Sequence, residues 1–362
     1  MRHRFDSWGL PARESTPLAS AVTLIEAAAL AALLPLALGV AGVTVGRFRG
    51  DCRQQLCAQR LGAVAAAHGV YMADSGGWFA GSPMTTGQQL WPGGSSSLPY
   101  DAVDTPGDVV QIWDWAAPMA GQLLNEPLDP NRAVRWRTQL VEGPFACPSN
   151  TYTSIPFPAP VGDWTPQRMV SYDSMREIMA RGGTAPGTSP LAVSLTYFHP
   201  QVGGTEQTPY PYLPRLEHVG DPTKKVFLAD GARFTDASTG STIHSFDWQA
   251  SAGGAFSSGA PTTPDAFERS YFRSSVRPDL APRAYRHPCG AFLGLNVAFF
   301  DGHVDWMSEA LSRHPDFWWP SDTVLPLTEM NIDTRNLVLD RLTTERPTWW
   351  GSGSVPLHYR VR

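Results

Sequence analysis

The chain has 362 residues with a formal net charge of −5, 42% hydrophobic and only 17% charged residues, and 13 Trp. That balance gives no concentrated basic face and so excludes an electrostatic nucleic-acid binder. Gly and Pro number 33 each, about 18% of the chain, which is below the roughly 25–30% of low-complexity disorder and describes a folded, loop-rich protein.

In chain order the first element is apolar. Ala27 to Gly46 holds no charge and is bounded by Glu26 and Arg47, long enough to cross a ~30 Å hydrocarbon layer as a helix. A cleaved secretory signal would have a shorter apolar region and would not open on an acid. Arg2, Arg4 and Arg13 precede the run while Arg47, Arg49, Arg53 and Arg60 follow it, so the positive-inside rule leaves orientation open. Cys52, Cys57, Cys147 and Cys289 all follow the run. An even count suits disulfides on an oxidising side, so the expectation is a single-pass membrane protein with the bulk of the chain outside the cytoplasm.

Beyond the run, Cys57, Leu61, Val64, His68 and Tyr71 recur at spacings of four, three, four and three, one stripe of an amphipathic helix. Asp74-Ser75-Gly76-Gly77 ends it with a glycine stop signal. The expected helix runs from about Thr23 to about Ala73, with Pro35 as its kink. Asp129-Pro130-Asn131 starts a short helix through Val141.

Strands are expected at Leu191 to Phe198, Lys225 to Phe234, Thr242 to Trp248 and Asn296 to Trp306. Asp301-Gly302 is a two-residue hairpin signal that pairs Phe300 with His303 and Phe299 with Val304. Alternation then places Val297, Phe299, Val304 and Trp306 on the core face, and Ala298, Phe300, His303 and Asp305 on the other. By the same argument a turn at Asp230-Gly231 groups Phe227, Ala229, Ala232 and Phe234. An antiparallel sheet packed on the long helix, an α+β fold, is the economical arrangement. Long loops at about 76–108, 148–168, 181–190, 200–223 and 249–265 decorate it.

Several of these segments resemble a known family. Ala21-Val22-Thr23-Leu24-Ile25-Glu26, between a basic leader and the apolar run, resembles the prepilin peptidase site of type IV pilins and type II secretion pseudopilins. The resemblance implies cleavage between Ala21 and Val22, a methylated terminus at Val22, a processing motif in Thr23, Leu24 and Ile25, and an assembly role for Glu26. Ala21 replaces the family's usual Gly and Val22 its usual Phe. The stretch from Cys57 to Phe79 looks like a pseudopilin-like group of planctomycete-type bacteria whose chains end in an H-X9-DG region. Here that region is Arg286-His287 followed by Asn296 to Val304, with thirteen residues rather than nine between His287 and Asp301. Phe145-Ala146-Cys147-Pro148 and the strand leading to Asp230 also echo the group.

The resemblance implies a leader at 1–21, a transmembrane and stem helix at 22–75 and a pilin-like head at 76–304. A Trp-rich extension follows at 305–362. It further implies prepilin peptidase, other pilin-like subunits and inner-membrane lipid as partners, and no catalysis. Calcium steadies some pseudopilin heads, but Asp221, Asp230, Asp301 and Asp305 are too scattered to form a recognisable ligand loop, and no resident cofactor is expected.

Four cysteines allow three pairings. Cys52 and Cys57 lie about 140° apart around one helix, so Cys57, on the inward stripe, is expected to join Cys147 and to leave Cys52 with Cys289. His287, Asn296, Asp301, Gly302 and His303 are read as structural. Two alternatives remain: a membrane-tethered glycan binder using Trp318, Trp319, Trp349 and Trp350, and a membrane-anchored metal-dependent hydrolase using His287, Asp301 and His303. No HExxH, GxSxG, phosphate loop or dinucleotide fingerprint is present.

Overall fold

A computed structural model describes residues 50–82, 101–111, 113–151, 153–157, 166–179, 212–231, 243–245, 256–258, 283–327, 330, 332–345 and 358–362. The cleavage segment Ala21 to Glu26, the apolar run, Leu191 to Phe198, Ala232, Phe234, Trp349 and Trp350 lie outside these residues. Among the described residues no helix is long and apolar enough to cross a membrane.

The amphipathic stripe forms as its spacing requires. Residues 50–74 are helical, with Cys57, Leu61, Val64 and His68 buried and Tyr71 packed at the edge of the core. The helix stops where Gly76 and Gly77 take φ of 66° and 87°. The Gly77 amide donates to the Met72 carbonyl at 2.7 Å, the 6→1 bond of a Schellman cap. The short helix also forms: Asn131 Oδ1 accepts from the amides of Ala133 and Val134 to cap Arg132–Arg135, and a π turn carries the chain through Leu140.

The helix packs on a five-stranded sheet ordered β6-β3-β4-β7-β8, comprising Ser257–Ser258, Tyr172–Met175, Val226–Asp230, Gly294–Phe299 and Val304–Ser308. All neighbours are antiparallel except β3 and β6. The fold is therefore α+β. Contacts between helix and sheet are specific: the His68 ring stacks on Phe227 with centroids 3.5 Å apart, and the Tyr172 hydroxyl donates to the Cys57 carbonyl at 3.2 Å. A three-stranded sheet joins β1 (Thr153–Phe157) to β2 (Gln167–Arg168) and β5 (Ile243–Ser245). The expected strand 242–248 is thus described only at β5, and β5 runs parallel to β1 rather than within the main sheet.

Three sequence expectations are corrected. The hairpin closes on a three-residue loop, because Phe299 and His303 are the last hydrogen-bonded pair and Gly302 takes φ of 94°, the left-handed position such loops place on glycine. The pairing is therefore Ala298 with Val304 and Asn296 with Trp306, one residue out of the expected register, which reassigns the faces. Asp230-Gly231 is not a turn, since the strand runs on: the Gly231 amide donates to Ser171 and Gly231 bridges Arg283. A bulge between Val226 and Leu228 also breaks strict alternation in β4, which separates Phe227, on the helix, from Ala229, paired with Val297.

Residues 51–362 form one compact unit, and a boundary at 304/305 would cut β8. Trp318 and Trp319 are buried, at 0% and 5% exposure, which leaves them no free face for stacking on a sugar. β9 (Val324–Pro326) pairs with β10 (His358–Arg360), and Asp316 gathers this region. Its carboxylate accepts from the Tyr359 hydroxyl, the Arg362 amide and Arg341 at 2.7–3.0 Å, while its carbonyl accepts from Lys225 Nζ at 2.8 Å. Burial holds Lys225 down at about 8.

Phe299 is buried, stacked on His303 at 4.1 Å and edge-on to Phe317 at 6.5 Å. Phe299→Ala is expected to cost about 3–5 kcal/mol in urea unfolding. His303→Ala, at a half-exposed turn, should cost under about 1 kcal/mol and leave the fold intact.

Two buried groups give stability an opposing dependence on pH. Burial lowers His68 from 6.5 to about 3, with its Nε2 accepting from the Ala80 amide at 3.2 Å. Because the folded value is depressed, the unfolded chain binds the proton first, and stability falls as pH drops from 6.5 toward 3. Burial raises Asp114 from 3.8 to about 6, although its carboxylate accepts from the amides of Val110, Ala116 and Ala117. Here the folded state binds the proton first, so stability rises as pH drops from 6 toward 3.8. The His68→Gln variant is expected to lack the decline that His68 imposes between about pH 6.5 and 3, read as urea midpoints across that range.

Candidate functional site

Among the described residues, a grouping of metal-ligand-type side chains lies under the helix, where four distant stretches of chain converge. Cys57 sits on the buried stripe, and Cys147 follows the short 3-10 turn Gly143–Phe145. Arg60, one helical turn on from Cys57, donates to the Ala146 carbonyl at 2.6 Å. Cys57 and Cys147 form a disulfide with their Cα atoms 4.9 Å apart, the pairing expected from the stripe. Cys52 and Cys289, expected as the second pair, are both free and exposed.

Asp230 ends β4 opposite Tyr172 and enters the same region. Its Oδ2 accepts from the Asn296 amide at 2.7 Å. His287 arrives from the segment before β7: its amide donates to the Gly294 carbonyl at 3.0 Å, and its own carbonyl accepts from Trp306 Nε1 at 2.7 Å. Gly294 makes room for this arrangement, since a Cβ there would lie 2.2 Å from the Trp306 ring. Held this way, His287 Nε2 lies 3.3 Å from Asp230 Oδ2 and 3.6 Å from Cys147 Sγ.

The ligand-type atoms of Cys57, Cys147, Asp230 and His287 all fall within 4.8 Å of one another. Arg286 flanks the group. Its guanidinium donates to the carbonyls of Ser171 and Gly231 and lies 3.7 Å from Asp230 Oδ1. Burial, reinforced by the Asp230 charge, pushes the Tyr172 hydroxyl well above the usual phenol range, so Tyr172 serves as a neutral donor. Asp230 Oδ1 and Asn296 Nδ2 are buried without a hydrogen-bond partner.

This geometry bears on every predicted site residue that it reaches. His287 is brought to Asp230 rather than to Asp301. His287 adjoins the first residue of β7, whereas Asp301 and His303 lie past its last, about 17 Å away along an extended strand. At that turn Asp301 Oδ1 accepts from the His303 amide at 3.1 Å and lies 2.6 Å from His303 Nδ1, so the pair shapes the loop tip. The three residues named for a hydrolase do not converge. Asp221 is engaged with Thr223 and Lys224 in its own turn, and Asp305 is exposed on β8.

Sequence reasoning missed Asp230 as the partner of His287, because Asp-Gly was read as a turn at both of its occurrences. The signal available was the all-apolar run Val226 to Ala229 before it: a strand buried on both faces that ends on an acid requires a partner for that acid. In the disulfide form the grouping is a closed structural node, with Cys57, Cys147 and Asp230 at 0% exposure and His287 at 2%. No family model, no curated protein and no solved structure matches the chain.

Proposed function

We propose that the chain is a pseudopilin-like structural protein. Its N-terminal helix is anchored in the inner membrane and processed by prepilin peptidase between Ala21 and Val22. It assembles with, or is displayed beside, other pilin-like subunits of a type II secretion or type IV pilus-like system. The observation that carries this reading is the apolar run with Glu26 at its head, followed by helix 50–74, whose stripe is buried on an antiparallel sheet and tied to the head by Cys57–Cys147. A stem that must hold its head under load needs such a junction, and the burial of Trp318 and Trp319 favours a packing role for that part of the extension over sugar binding.

In this reading Glu26 acts through the amine that cleavage creates at Val22. A carboxylate held in hydrocarbon is strongly disfavoured without a counter-ion, and the terminus of an incoming subunit supplies one. In cells carrying a prepilin peptidase, Glu26→Gln is expected to leave processing at Val22 intact and to reduce cross-linking between subunits. Cross-linking that stays unchanged would assign Glu26 to simple anchoring. A native chain that still begins at Met1 would remove the pseudopilin reading.

A further inference from the structure

We propose that the dithiol form of this protein binds one zinc-class divalent cation through Cys57, Cys147, Asp230 and His287. Two thiolates, an imidazole nitrogen and a carboxylate oxygen are the donor set of a four-coordinate zinc site. In the disulfide form these atoms already lie within 4.8 Å of one another, against the roughly 3.3–3.8 Å edges of a tetrahedron at ordinary Zn–S and Zn–N distances. Closing that gap takes movements of about an ångström, and the sulfurs separate once their bond is broken.

The surroundings suit a cation better than they suit a bare disulfide. Asp230 Oδ1 is buried and accepts no hydrogen bond, so this oxygen, 3.7 Å from the Arg286 guanidinium, keeps lone pairs that no hydrogen bond occupies. The other oxygen is fixed by the Asn296 amide and the His287 backbone by Gly294 and Trp306, the kind of outer support that orients metal ligands. Two thiolates, one carboxylate and a dication sum to a single negative charge, and the Arg286 guanidinium, 3.7 Å from Asp230, balances it.

The chemistry closes. A small dithiol reduces the Cys57–Cys147 bond, supplying two electrons and two protons and leaving as its own disulfide. The two cysteine thiols then release those protons to water as the cation binds. The cation thereby replaces the covalent link between helix and head by a coordinate one, and the same two elements stay joined in either redox state.

The test uses the purified full chain with Cys52→Ser and Cys289→Ser, so that the exposed thiols do not contribute. After reduction with dithiothreitol and its anaerobic removal, Co2+ is titrated in and then displaced by Zn2+. The expected result is one cobalt per chain, with a thiolate-to-metal charge-transfer band and the intense visible bands of a tetrahedral site. The oxidised chain should give neither. His287→Gln and Asp230→Asn should each weaken binding at least tenfold. Because either variant can also destabilise the fold, the reduced parent chain is melted with and without Zn2+, and a higher midpoint with the metal is expected. Sub-stoichiometric binding, equal binding by the oxidised chain, unchanged affinity in both variants, or no zinc-dependent gain in the melt would each overturn the proposal.

Discussion

Replacing Cys57 and Cys147 together by alanine is expected to lower unfolding stability by about 4–5 kcal/mol, the largest loss from any local change in the described core. The bridge spans 90 residues, and closing a loop of that length restricts the unfolded chain by about that much. Urea unfolding of the oxidised parent and the double variant at equal ionic strength measures it, and the parent treated with a strong reductant and a chelator should coincide with the variant. Mapping of non-reduced peptides should recover Cys57 joined to Cys147, with Cys52 and Cys289 free. Recovery of a Cys52–Cys57 peptide would contradict the arrangement directly.

Asp230→Ala is expected to cost about 3–5 kcal/mol, for a different reason. The carboxylate stands between the Arg286 guanidinium, the His287 ring and the Asn296 amide, all inside the core. Removing it withdraws a negative charge from beside a buried guanidinium and an acceptor from a buried amide, both costly outcomes of a polar truncation. Asp230→Asn keeps an acceptor for the Asn296 amide and is expected to lose distinctly less. Equal losses in the two variants would show that shape, rather than charge and hydrogen bonding, accounts for the effect. The measurement is the urea midpoint at neutral pH.

What could be read beforehand from the residues, and what could not, divides along sequence distance. The stripe Cys57, Leu61, Val64 and His68 and the Gly76-Gly77 stop are local signals, and both took the form that helix periodicity and glycine's conformational freedom require. Asn131 capping Arg132–Arg135 is equally local. Asp301-Gly302 was legible as a turn but not its length, because two- and three-residue hairpin loops differ by one unpaired residue that no side chain nearby specifies. That one residue moved every partner in β7 and β8.

Asp230-Gly231 carries the same dipeptide and runs straight. What overrides its turn preference is pairing with Ser171 and Arg283, both more than fifty residues away. The cluster itself draws on positions 57, 147, 230 and 287, and no spacing rule links four such positions. Only the Cys57–Cys147 pair was accessible, through the inward face of the helix. His287 was noticed for its family pattern, yet its neighbour is the acid of the other Asp-Gly.

The disulfide also fixes how the molecule carries tension. A pull applied at residue 50 enters the helix, reaches Cys57 after two turns, and passes across the sulfur bridge to Cys147 instead of following the backbone. The backbone from 58 to 146 then lies off the load path, and the part of the helix beyond Cys57 is relieved of peeling from the sheet. Stretched to rupture between its ends, the oxidised chain is shorter than the reduced one by the contour of that segment, about 300 Å at ~3.3–3.6 Å per residue. Thiol chemistry at one buried site thereby sets the extensibility of the whole chain.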